Sequence, residues 1–108
     1  MTTVEVIRQS GHIVSLTADG HTGYGVEGED IVCAALSSII QTALLGLMQA
    51  AGINVKFERR DEDGFLSFNL PELDNIARRD ADMILDTMLL GISDLYDSFS
   101  DFIELIIK

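Results

Sequence analysis

A chain of 108 residues, 47% of them hydrophobic, is sized for one domain over residues 1–108 with a modest core. Its 18 acidic against 7 basic residues give a formal net charge of -11, which repels nucleic acid and anionic membrane and favours a basic partner; solubility alone is the plainer reading of the same charge. The lone cysteine, Cys33, forms no internal disulfide and fits a reducing, cytoplasmic setting, and the opening MTTVEVIRQS has no secretory pattern.

Taken in order, Thr3 to Ile7 reads as a short strand, Gln9-Ser10-Gly11 as a turn, and His12 to Ala18 as a second strand. In that second strand Ile13, Ser15 and Thr17 share one face, and Val14 and Leu16 the other. This hairpin delivers the chain to Asp19-Gly20-His21. The stretch that follows carries Gly20, Gly23, Gly25 and Gly28. Such a loop is free to close over a ligand, or is a plain connection. It matches neither phosphate-binding glycine motif, and Glu27 and Glu29 would repel a phosphate.

Asp30 reads as an N-cap for a helix from Ile31 to about Ala51, with Gly52 as its left-handed stop. That helix is apolar nearly all round. Its length raises the question of a membrane span, but Ser37, Ser38, Gln41, Thr42 and Gln49 interrupt it and strands flank it, so it reads as a buried helix and not a span. Cover on every side requires a second helix or a second subunit. Ile53 to Arg59 alternates, with Ile53, Val55 and Phe57 on one face and Asn54, Lys56 and Glu58 on the other, and Phe65 to Leu70 alternates in turn across the polar turn Arg60 to Gly64. Pro71 suits the start of an amphipathic helix from about Glu72 to Tyr96, which Asp97-Ser98 ends. A last strand begins at about Asp101. The order is ββαββαβ, an α+β fold with two helices on a mostly antiparallel sheet.

The chemistry-bearing residues are His21 and Cys33. Free amides and the dipole at a helix start favour a thiolate at Cys33. His21, at a strand end, is placed to take the thiol proton and return it to a leaving amine. The alternatives are a cysteine packed as a small hydrophobe and a polar loop histidine. Ser37 lies one turn beyond Cys33 on the same helix face, and either contacts the site or back-bonds to its own helix. Asp30 either caps the helix or orients His21. His12, with no cysteine near it in sequence, reads as structural. His21, Cys33 and scattered carboxylates have no zinc-site spacing, so no metal or other cofactor is expected.

Gly20-His21, the glycine- and glutamate-rich loop, and Gly28-Glu29-Asp30-Ile31-Val32-Cys33-Ala34-Ala35 closely resemble the ribosomal-processing cysteine proteases of bacteria, and the resemblance runs over the whole chain. It implies that His21 and Cys33 are a catalytic dyad, with a weaker carry-over to Ser37. It also implies that the substrate is the precursor of a large-subunit ribosomal protein, cut after paired aromatic residues to remove an N-terminal extension. Homodimers and a loop that orders over the substrate are implied as well. A loop so rich in glycine allows His21 and Cys33 to stand apart until a peptide binds. The competing reading is a non-enzymatic acidic adaptor for a basic ribosomal or assembly protein, with Cys33 merely packed.

Overall fold

A computed structural model describes residues 1–20, 29–62 and 64–108, with backbone alone at 29 and 30. Strands β1 (Thr2–Gln9) and β2 (His12–Asp19) form an antiparallel hairpin. Their connection, Ser10-Gly11, has φ of 54° and 82°, the paired positive dihedrals that match the twist of two adjoining strands. Helix α1 (Glu29–Leu45) runs into a π-helical turn, Gly46–Ala50, where the Ala51 amide donates to the Gly46 carbonyl at 2.9 Å. Gly52, at φ 67°, stops it as expected. A second hairpin, β3 (Lys56–Arg60) and β4 (Phe65–Asn69), precedes α2 (Asn75–Ser98) and β5 (Ile103–Ile107). The sheet order is β3-β4-β2-β1-β5, antiparallel except where β5 joins β1 in parallel. The α+β architecture and the ββαββαβ order are those expected from the sequence.

Both helices cover one face of the sheet. Val4 and Val6 of β1, Leu16 of β2, and Leu66 and Phe68 of β4 are buried there beneath Val32, Leu36 and Ile40 of α1 and Leu85, Met88 and Ile92 of α2. Burial of that many large side chains is the main source of stability. The cover expected for α1 comes partly from α2. A Cβ on Gly46 would lie 3.6 Å from Ile84, and one on Gly91 3.5 Å from Ile39, so each helix meets the other through a glycine. The segment Ile31–Ala50 is long and apolar enough to cross a membrane by length and composition, but here one side of it is part of this core.

Four local expectations are corrected. Ile13 and Leu16 are both buried, although simple alternation puts them on opposite faces. The register steps from Ile7↔Ser15 to Arg8↔Ile13, which leaves Val14 as the extra residue of a bulge and resets the alternation. Phe57 is 53% exposed, because β3 is an edge strand beyond the reach of either helix. Pro71 does not open α2; Asp74 caps it, its carboxylate accepting from the Ala77 amide at 2.8 Å. Asp97 and Ser98 continue α2 instead of breaking it, and Phe99 closes it by donating to the Leu95 and Tyr96 carbonyls.

His12 is structural, as expected. Its Nδ1 lies 2.7 Å from Asp82, whose other oxygen accepts from Arg78 Nε at 2.9 Å. Arg78 also donates to the Ile13 carbonyl at 2.9 Å, so the cluster ties the first hairpin to α2.

Candidate active site

The antiparallel pairing of β1, β2, β4 and β3 brings the start of β1, the end of β2, the start of β4 and the end of β3 to one end of the sheet. The pairs Thr3↔Asp19, Ala18↔Leu66 and Arg60↔Phe65 mark that end. The first half of α1 crosses above it. Between them lies an open cleft of about 250 Å³. Thr2 and Ala18 form its floor near α1, and Cys33, Ser37 and Gln41 line it from the helix. Arg59, Arg60, Asp61 and Phe65 of the second hairpin form the opposite wall.

Cys33 and Ser37 share the cleft face of α1, as their four-residue spacing requires. Gln41 continues that stripe one turn further. Cys33 is a free cysteine, partly exposed, and its Sγ lies 3.0 Å from Thr2 Oγ1. The helix begins at Glu29, so Asp30 falls inside its first turn and not at the cap position, and Cys33 is four residues in. The first satisfied amide of a helix is that of its fourth helical residue, which bonds the cap carbonyl as Arg78 bonds Asp74 in α2; in α1 that position is Val32, one before Cys33. Cys33 therefore follows the set of free amides instead of belonging to it.

Gly20 ends the described part of the loop with φ at 123°, and a Cβ there would lie 2.4 Å from the Met1 carbonyl oxygen. Glycine is needed at this position for close approach to β1. His21, Gly23, Gly25, Gly28 and the side chain of Asp30 lie outside the described residues.

Charge in the cleft is concentrated on the far wall. Arg59 Nε is 2.6 Å from Asp61, Arg60 pairs with Glu58, and the Arg60 guanidinium lies 4.0 Å over the Phe65 ring. Such exposed pairs add little to stability. They do place two cations on one wall of a protein whose net charge is -11. Among the described residues no group of three or more His, Cys, Asp or Glu could hold a metal ion.

Sequence reasoning did not single out Thr2, Gln41, Arg59, Arg60 or Phe65. Gln41 was findable as the next step in the Cys33–Ser37 spacing. The others come to the cleft through strand order, which no local pattern announces.

A family model described as cysteine protease Prp matches residues 1–104. The chain belongs to the Prp cysteine protease family. It is a cysteine-type endopeptidase, and Cys33 is its single cysteine. A curated Prp relative from Staphylococcus aureus, a ribosomal processing cysteine protease, is 30% identical over 97% of each chain. One from Bacillus subtilis is 26% identical over 82% of this chain and 80% of its own. Among solved structures, an S. aureus Prp in complex with a substrate peptide superposes with a TM-score of 0.89 at 23% identity, covering both chains fully. A Streptococcus mutans protein does so with a TM-score of 0.86 at 27% identity, over all of this chain and 96% of its own.

Proposed function

We propose that this endopeptidase removes an N-terminal extension from a large-subunit ribosomal protein precursor, with Cys33 as nucleophile and His21 as general base and then acid. The observation that carries the reading is a partly exposed Cys33 thiol on the wall of an open cleft, at the end of the sheet where β2 leads toward His21. The Cys33 sulfur adds to the scissile carbonyl as its proton passes to His21. Collapse of the adduct expels the new N-terminal amine, which takes that proton, and leaves a thioester that water hydrolyses. A related S. aureus structure, 25% identical, contains a covalently linked product peptide, which supports a covalent route here. The roles of His21, Asp30 and the Gly20, Gly23, Gly25, Gly28 stretch as a substrate loop are supported by the sequence motif. Ser37 is supported by its place one turn along the same cleft wall. Family membership favours this reading over the non-enzymatic adaptor.

The charge of -11 suits a basic ribosomal substrate, and the lone cysteine suits a cytoplasmic enzyme. Incubation with a ribosomal precursor that carries its extension, followed by mass spectrometry, tests the substrate. The expected product is the trimmed protein; an untouched precursor would sink the assignment.

The enzyme acts as a homodimer in this reading. Helix α2 exposes Ile76 (66%), Met83 (70%) and Leu90 (73%) at seven-residue intervals, one stripe along the helix. Met83 also lines an open groove of about 610 Å³ between the two helices, with Ile39, Thr42, Ile84 and Thr87. Sedimentation is expected to give a dimer for the parent chain and a monomer for Met83→Glu. A monomeric parent at micromolar concentration would refute the dimer.

A further inference from the structure

We infer that Thr2 is a positioning residue for the Cys33 sulfur: its hydroxyl is hydrogen-bonded to the sulfur and fixes where the nucleophile sits. The inference rests on Cys33 being the reactive group of the proposed site, and it concerns the sulfur itself.

Three observations converge on Thr2. It is the one buried polar residue among those described, 6% exposed and on the helix-facing side of β1. Its Oγ1 lies 3.0 Å from Cys33 Sγ, across 31 positions of sequence. Its backbone is held on two further sides. The Thr2 amide donates to the Phe102 carbonyl at 3.0 Å, and Gly20 packs so closely that a Cβ would come within 3.2 Å of Thr2 Cα. The hydroxyl is thus mounted on a fixed strand end. A buried hydroxyl needs a partner, and this one has the sulfur.

The chemistry follows from what each group can donate. With a neutral thiol either atom can be the donor. With a thiolate only the hydroxyl can donate, and a hydrogen bond to an ionised acceptor is the stronger of the two. The bond therefore ties the sulfur to Thr2 whether or not the thiol carries its proton. It also aims the sulfur, because a β-branched side chain has few accessible rotamers. The charged groups that line the same cleft are Arg59, Arg60 and Asp61 on the opposite wall, and they stay unchanged in a Thr2 variant.

The test is the rate of iodoacetamide alkylation of Cys33 in the full chain, read with kcat and KM for peptide cleavage. Thr2→Val keeps the shape and the strand preference and removes the hydroxyl. It is expected to lower the alkylation rate and kcat roughly tenfold with KM near the parent value. Thr2→Ser is expected to restore both rates. Thermal melting of both variants shows that each is folded, and a merely structural role for Thr2 would lower the melting temperature without moving either rate. Parent rates in folded Thr2→Val, or Thr2→Ser rates that follow Thr2→Val, overturn the inference. Slowed alkylation in Thr2→Val, where parent cleavage does not depend on Cys33, supports the inference and removes the proposed nucleophile. Unslowed alkylation in Thr2→Val that cuts peptide at the parent rate overturns the inference alone.

Discussion

Replacing Cys33 with alanine is expected to lower kcat/KM for peptide cleavage by at least about 10³-fold, while the protein still folds. The two parts of this expectation have different origins. The loss of rate follows from removing the atom that forms the covalent bond, which no neighbour replaces. Ser37, one turn away on the same wall, carries a hydroxyl, and a serine has no thiolate to offer at neutral pH. The retained fold follows from where the sulfur sits. Cys33 is partly exposed at a cleft wall and is not among the buried core residues. Truncation leaves the Thr2 hydroxyl without its sulfur partner, a cost of about 1 kcal/mol. His21→Ala is expected to cost nearly as much in rate, because nucleophile and base act as a unit, and the double variant should lose little more than either alone. The measurement is kcat/KM on a fluorogenic peptide for the parent and all three variants, with melting curves alongside. Cleavage that survives in Cys33→Ala would end the proposed mechanism. Multiplying losses in the double variant would mean that His21 and Cys33 work independently.

How far the sequence could be read depends on whether the deciding interaction is local. Both hairpins were legible because turns need particular residues: Ser10-Gly11 and Gly64 have positive φ, and the alternating segments flank them. The stop at Gly52 was legible for the same reason. The faces of the strands were less so. Val14 is an ordinary strand residue, and nothing in its neighbours announces the bulge that turns both Ile13 and Leu16 inward. Phe57 has the pattern of a buried residue, but its exposure is set by β3 lying at the sheet edge, a property of the whole topology. The start of α2 was misplaced because Pro71 and Asp74 are both good helix-start residues, and the capping bond to Ala77 settles the choice.

The candidate site divides in the same way. Cys33 and Ser37 were legible from helical spacing, and the motif around Cys33 pointed to the family. Thr2 was not, because its contact with Cys33 exists only once β1 has been placed beneath α1. Arg59, Arg60 and Phe65 reach the cleft through the pairing β3-β4-β2. Spacing arguments find residues that share an element. Residues that meet across elements appear only with the fold.

Gly20→Ala is expected to destabilise the protein by about 3 kcal/mol or more, and Gly11→Ala by only about 1 kcal/mol. Both glycines have positive φ, 123° and 82°, so both variants carry backbone strain. They differ in their surroundings. A Cβ on Gly11 meets nothing within 4 Å, whereas one on Gly20 falls 2.4 Å from the Met1 carbonyl oxygen and 3.2 Å from Thr2 Cα. Those are backbone atoms at the start of β1, Met1 just before it and Thr2 its first residue, and Thr2 is paired with Ile103 of β5, so relief requires moving the start of the strand. The difference between the two variants isolates the clash from the strain, and chemical denaturation measures it directly. Equal costs would show that the start of β1 yields freely. The same clash bears on the chemistry. Gly20 immediately precedes His21 in the chain, and the atoms it presses on are those of Met1 and of the Cα of Thr2, the residue whose hydroxyl meets the Cys33 sulfur. In buffer where Gly20→Ala remains folded, both alkylation of Cys33 and peptide cleavage are expected to fall, and Gly11→Ala should leave both near the parent rates. A Gly20→Ala protein that is destabilised but fully reactive would mean that the β1 start supports the fold without setting the geometry of the nucleophile.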